Sequence, residues 1–197
     1  SIGANAALLP DLVKLERGFI AYGGATLDAS GAYDMDGRVF DTAKLNITID
    51  ELTPWGKLAG TPLKGSVNMM NTLDGSLSDA IITSKIYSDD ITAGKAMINK
   101  LASTLRITTD IEAWQQGGWA DSEIALQANT SLNDQGYSIT LDSALDDEKR
   151  LTITALNAST PFADASAQGN VDLNEQTLNI TANTNQVNVS ALSNDAL

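Results

Sequence analysis

The sequence predicts an all-β fold, an elongated antiparallel sheet with short helical linkers, and three observations carry that reading. Apolar and polar residues alternate with period two along segment after segment, the spacing that gives a strand one apolar and one polar face. Short polar turns separate these segments, which favours hairpins and a meander over crossover connections. Only 5% of the residues are aromatic against 43% hydrophobic, so the apolar side chains are mostly Leu, Ile, Val and Ala, suited to thin repeated strand layers.

Taken in order, Leu9–Gly18 has an early Pro10, apolar residues at helical spacing and a terminal Gly, and predicts a helix. Lys44–Asp50 is a strand with Leu45, Ile47 and Ile49 on one face. Leu52–Gly60 repeats the helical plan, with Thr53 as N-cap, Pro54 in the first turn and Gly60 at the end. Ala93–Leu105 fits both periods, because Ala93, Met97, Leu101 and Leu105 stand four apart. The strand reading is preferred, since alternation runs on through Ile107 to Thr109-Asp110-Ile111 without a stop signal. Further strands follow at Ser122–Ala128, Tyr137–Asp142, Arg150–Thr154, Asn170–Leu173, Thr177–Thr181 and Gln186–Ser190. Asp36-Gly37, Asp74-Gly75, Asn133–Gly136 and Leu173–Gln176 mark the tight connections.

The charge balance excludes several functions. Twelve basic against 25 acidic residues give a formal charge of −13, which repels phosphate backbones and argues against nucleic acid and against docking on anionic lipid through a basic patch. There is no His and no Cys. The usual general base, thiolate metal ligands and every Ser-His or Cys-His arrangement are therefore missing, and neither a catalytic residue, a metal nor a cofactor is expected. The acidic clusters Asp34-Met35-Asp36, Asp89-Asp90 and Asp146-Asp147-Glu148 match no calcium-binding loop and are read as solvated turns. Trp114-Gln115-Gln116-Gly117-Gly118-Trp119 is read as a bend closed by aromatic packing. Asn-x-Ser/Thr triplets arise from the alternation itself and are not read as glycosylation sites. No run approaches the roughly 20 apolar residues of a membrane helix, and the opening at Ser1 suggests a piece excised from a longer protein whose anchor lies elsewhere.

A longer recurrence organises the chain. Ala6–Leu15 and Ile49–Leu58 share strand, Pro and apolar residues in the same order, and Val187–Leu197 looks like a third entry. The expected organisation is one repetitive domain over 1–197, with linkers near 8–18, 52–60 and 190–197.

The phrase running from Asn46 to Val67, with Leu52-Thr53-Pro54-Trp55-Gly56-Lys57-Leu58-Ala59-Gly60 and Leu63-Lys64-Gly65 at its centre, resembles the repeat of TamB-like translocation and assembly module proteins. Phe162–Leu173 followed by Leu178-Asn179-Ile180 is similar to strand pairs of the wider AsmA-like group. Trp55 and Gly56 depart from the more usual aliphatic residues. The resemblance implies a β-sheet curled into a U-shaped (taco) groove in the periplasm, as part of a protein anchored in the inner membrane. It implies phospholipid acyl chains as cargo moving between inner and outer membranes in outer-membrane biogenesis, and an outer-membrane Omp85-class barrel as a partner of other parts of the parent protein.

The candidate groove residues are Leu45, Ile47, Ile49, Leu105, Ile107, Ile124, Leu126, Ile139, Leu141, Leu151, Ile153, Leu178 and Ile180. Alternation sends i and i+2 to the same side, so aliphatic residues of successive strands form a stripe, and each methylene it covers gains roughly 0.8 kcal/mol. The same residues would equally fill a closed sandwich or barrel core. A β-solenoid or β-sandwich segment of a bacterial surface adhesin is the alternative function. A β-helix enzyme acting on polysaccharide would need acids in register on one face, and none are evident.

Overall fold

The computed structural model describes residues 1–116 and 121–187. They form one 13-stranded antiparallel sheet that is not closed. The strands are β1 (Ile2–Leu9), β2 (Leu12–Tyr22), β3 (Ala25–Asp34), β4 (Val39–Ile49), β5 (Leu63–Gly65), β6 (Val67–Ser76), β7 (Asp79–Ala93), β8 (Ala96–Thr109), β9 (Ser122–Leu132), β10 (Gln135–Leu145), β11 (Arg150–Ser159), β12 (Asp164–Asp172) and β13 (Thr177–Asn185). Two short helices interrupt them, α1 (Thr53–Ala59) and α2 (Ile111–Gln115). Each strand pairs with its successor in the chain, except that β5 leaves the path and pairs β7 beyond the end of β6. The meander expected from the short turns is therefore the fold. No described helix is long and apolar enough to cross a membrane.

The segment Leu9–Gly18 is not helical. Pro10 and Asp11 form a two-residue turn, Leu8 faces Val13 and Leu9 faces Leu12 across it, and Gly18 lies inside β2 opposite Ala4. Helical spacing lost to pairing on both sides: β2 is bonded along its length by β1 and β3, and Pro-Asp is equally good turn chemistry. Without that helix, the recurrence at 8–18 and 52–60 is not a repeat of one structural unit. Its proposed third entry near 190–197 lies outside the described residues.

The second helix is present as α1. Its N-cap is Leu52, which makes no side-chain cap bond, rather than Thr53, and Gly60 closes it in the left-handed conformation at φ 67°. Ala93–Leu105 is strand, folded as a hairpin over Gly94-Lys95 between β7 and β8. Its continuation to Ile111 stops earlier, because the Asp110 carboxylate accepts the Ala113 backbone N–H and caps α2. Trp114 lies on that helix, and 117–120 of the aromatic–glycine cluster fall outside the described residues.

Three smaller expectations also change. Asp74 and Gly75 belong to β6, and the connection is Leu77-Ser78, where the Ser76 hydroxyl accepts the Asp79 N–H at 3.0 Å. Asp89 and Asp90 lie in β7 beside a ladder irregularity rather than in a turn. Gln186 and Val187 follow β13 as irregular chain, and residues 188–190 are outside the described range. The other two acidic clusters are turns: Asp34 Oδ1 accepts the N–H groups of Asp36 and Gly37, each at 3.0 Å, and Asp146 accepts that of Arg150 at 2.8 Å.

That last turn carries a pH dependence. The backbone N–H of Arg150, aided by its guanidinium, holds the exposed Asp146 carboxylate below the usual aspartate range. A lowered folded-state pKa adds stability above the unfolded value of about 3.9 and loses it as pH falls through the folded one. Asp146→Asn is expected to lower the urea midpoint slightly at pH 7, and the difference from the parent to shrink as pH falls beneath about 4 and to vanish below the lowered folded-state value. Parallel urea titrations over that pH range check this.

The sheet has almost no enclosed interior. Among the described residues the buried apolar ones are Leu52 and Ala80, at 8% and 0% exposure, and no large side chain is fully buried. Every strand packs against the strands bonded to it, and α1 against β5. The accessible surface is 12472 Å², against about 8,900 Å² for a compact monomer of this mass. The excess is what a single-layer sheet leaves uncovered.

Candidate functional site: one apolar sheet face

Directly paired residues of an antiparallel ladder point to the same side, so register assigns each side chain a face. One row runs unbroken across the sheet as Ala4, Gly18, Ala29, Leu45, Asn71, Ser84, Leu105, Leu126, Leu141, Leu156, Ala167 and Ala182. A parallel row contains Ile2, Ile20, Leu27, Ile47, Met69, Ile86, Ser103, Ala128 and Ile139. A third holds Leu73, Ile82, Ile107, Ile124, Ser143, Ile153, Gly169 and Ile180. The fourth runs from Leu8 and Val13 through Tyr33 and Phe40 to Leu145, Leu151, Val171 and Leu178. Ile49 lies on the same side, paired with Ala25 and Val67.

All the sequence-predicted groove residues thus share one face, although they come from six different strands. Most are half-buried by their neighbours, while Ile139, Leu178 and Ile180 are 37%, 67% and 42% exposed. The opposite face carries Lys44, Asn46 and Thr48 on β4, Arg106 and Thr108 on β8, Glu123 and Gln127 on β9, and Asn179 and Thr181 on β13. Phe19, Ile81 and Tyr87 interrupt its polarity. Arg17 lies over the Phe19 ring, 5.4 Å from its centroid, and pairs with Asp28 at 2.7 Å.

Sequence reasoning missed part of the face. Leu27, Met69, Ile82, Ile86 and Leu156 belong to it. The strands of the first four were harder to read, because β3 is built of small residues and β6 and β7 place Asn71 and Ser84 at apolar positions, while Leu156 lies beyond the bulge that breaks the alternation of β11. Register, which no single strand reveals, identifies them.

The polar groups on this face are largely turned back on the protein. Asn71 donates to the Leu45 carbonyl at 3.0 Å, and Ser88 donates to the Ser66 carbonyl at 2.6 Å. The Thr109 and Ser122 hydroxyls exchange a hydrogen bond at 2.6 Å, and the Trp114 indole N–H donates to Thr109 at 2.8 Å. Ser88, Thr109, Ser122 and Ser143 are all under 9% exposed. Their hydrogen-bonding capacity is used inside the sheet, which lets these residues sit within an apolar surface at small cost.

Irregularities interrupt the ladder at several points. Extra residues enter β2 at Glu16-Arg17, β4 at Thr42 and β11 at Thr154-Ala155, and a further shift falls at Lys100 in β8. Thr42 and Lys100 have φ of 42° and 53°. Gly31 and Gly169 sit against two of these points, and a Cβ on either would fall 2.5 Å from the Ala43 Cα or 2.1 Å from the Asn179 carbonyl oxygen. Bulges bend a strand and raise its twist, and glycine allows the neighbouring backbone to close in.

Among the described residues no group of three or more acidic side chains is placed to hold a metal ion. What the arrangement offers is a broad aliphatic surface, roughly 30 Å along the strands and about 50 Å across them, backed by a polar one. No protein-family model, no curated protein and no solved structure matches the chain.

Proposed function

We propose that this chain is a non-catalytic periplasmic segment of a TamB/AsmA-like protein, anchored in the inner membrane through other parts of its parent, and that its apolar face carries phospholipid acyl chains between the two membranes. One observation supports this reading above the others: aliphatic residues from all along the chain converge on one face that, among the described residues, no second layer covers. An aliphatic face holds acyl chains by many weak contacts, each methylene worth roughly 0.8 kcal/mol, without needing a selective polar pocket. The curl into a U-shaped groove is part of the proposal. The bulges on β2, β4, β8 and β11, with Gly31 and Gly169 against two of them, are the elements that would bend the sheet around the apolar side. The outer-membrane barrel partner belongs to the parent protein and follows from the same resemblance.

The test is photocrosslinking in cells from Ile47, Leu126 and Ile153, with Thr48, Gln127 and Thr152 as controls on the other face. Phospholipid adducts at the first set and none at the second are the expected result. A folded protein with no adducts at either set would overturn the lipid reading and favour the adhesin segment.

A further inference from the structure

One row of the apolar face is half-buried along much of its length and closed in its middle. Tyr33, Phe40, Leu145, Leu151 and Val171 in that row are half-buried, whereas Ala80, Thr109 and Ser122, paired in succession, are 0%, 8% and 6% exposed. The described element that reaches this place is α2. Its Trp114 indole N–H donates to the Thr109 hydroxyl at 2.8 Å, and Thr109 shares a further bond with Ser122 at 2.6 Å. Register puts both hydroxyls on the apolar side, so the indole stands on that side as well. Trp114 is 41% exposed. With its one polar atom bonded to the sheet, what this side chain offers a ligand is hydrocarbon.

Other bonds fix α2 in place. The Asp110 carboxylate caps it, the Ile111 N–H donates to the Leu77 carbonyl at 2.7 Å, and Glu112 pairs with Arg38. A helix this short is no layer, but anchored in this way it stands across the ends of β8 and β9. From Ser122 to Thr130 the apolar side of β9 carries Ile124, Leu126 and Ala128 over about 27 Å. That is room for one acyl chain, since two together span a bilayer core of roughly 30 Å. The two ends of this lane differ in polarity. At the far end Tyr137 pairs with Thr130, and its hydroxyl donates to the Gln135 carboxamide oxygen at 3.3 Å. At the α2 end Asp110, Asp121, Asp146 and Asp147 line one concavity, and Arg150 beside them is paired with Asp146 and Glu148. A lipid phosphate is repelled at the α2 end and meets hydrogen-bonding groups at the other.

We infer that Trp114 is the end wall of an acyl-chain lane along β9 and its neighbours β8 and β10. A bound amphiphile lies there with its terminal methyl group against the indole and its polar head beyond Tyr137. The inference rests on the acyl-chain reading of the face and adds an orientation and a stop to it. Contact between the chain end and the indole is apolar on both sides, so it selects for length and not for headgroup.

The sequence holds three tryptophans, Trp55, Trp114 and Trp119, so Trp55→Phe with Trp119→Phe leaves Trp114 as the sole indole. The buried Trp55 Nε1 has no hydrogen-bond partner among the described residues, so its replacement removes no bond. The purified chain is loaded with a monoacyl phospholipid brominated either near the terminal methyl or near the ester. Phosphorus retained through gel filtration reports binding independently of fluorescence. Both lipids are expected to be retained equally, and the terminal bromines to quench Trp114 several-fold more strongly. Equal or reversed quenching with lipid retained overturns the inference and leaves the lipid reading standing. No retained phospholipid on the parent chain overturns both. Should the double variant lose its β-sheet circular dichroism, the parent is compared with Trp114→Phe. The extra quenching by terminal bromines is then expected in the parent and lost in the variant, and its persistence without Trp114 overturns the inference.

Discussion

Replacing Gly169 by valine is expected to cost about 3 kcal/mol of stability or more. Gly169 sits in the middle of β12 at φ 156°, and a Cβ there would fall 2.1 Å from the Asn179 carbonyl oxygen and 2.7 Å from the Ile180 Cα. Those atoms are backbone of the paired strand, so relief requires the β12–β13 ladder to open rather than a side chain to turn. The dihedral alone accounts for about 1–3 kcal/mol, and the displaced ladder adds to it. Gly136, at the start of β10, is the internal control: nothing lies within 4 Å of its Cβ position, and its φ is not in the left-handed region. Gly136→Ala is expected to be neutral or slightly stabilising, by less than about 1 kcal/mol. Urea midpoints of the two variants against the parent decide the matter, and equal midpoints would mean that β12 and β13 do not approach as described.

The second large effect concerns the apolar face itself. Leu126 stands between Leu105 and Leu141 near the middle of the longest row. Leu126→Glu puts a carboxylate where an acyl chain would lie, and desolvating it under lipid costs several kcal/mol. Phospholipid recovered with the purified protein is expected to fall by tenfold or more. Because the face is open to water when unloaded, the glutamate remains solvated in the empty protein and folding is largely spared. Gln127→Glu places the same charge one residue away on the opposite side and is expected to leave lipid recovery unchanged. Equal loss in both variants would point to net charge, not the face, as the cause.

How far the sequence could be read depends on the kind of signal each element carries. Alternation is local, so β4, β9, β10 and β11 were legible from Leu45, Ile47 and Ile49, Ile124 and Leu126, Ile139 and Leu141, and Leu151 and Ile153. Since period two also fixes the side, the candidate residues could be grouped before their strands were paired, and register places them together. The first helix failed because Leu12, Val13 and Leu15 satisfy both periods and nothing local reports that β1 and β3 flank them. The Asp74-Gly75 turn failed for a related reason: Gly75, at φ 91°, meets the Asp79 carbonyl across the ladder and serves a close backbone approach inside β6. Serines on the apolar face hide strand polarity from a reader of sequence, because the bonds that neutralise Ser88 and Ser122 come from other segments.

The absence of a second layer among the described residues has a consequence for how the chain reaches and keeps its structure. With every strand bonded mainly to its sequence neighbours, most contacts close short loops, and loop-closure entropy penalises them little. Folding becomes a zipping process that starts where pairing is longest, at the β7–β8 hairpin of 15 and 14 residues, and spreads in both directions. Amide protection should then decline from that centre toward β1 and β13 instead of being lost everywhere at once. A damaged inner strand would separate the chain into two independently surviving sheets, a mode of failure that a closed core does not permit.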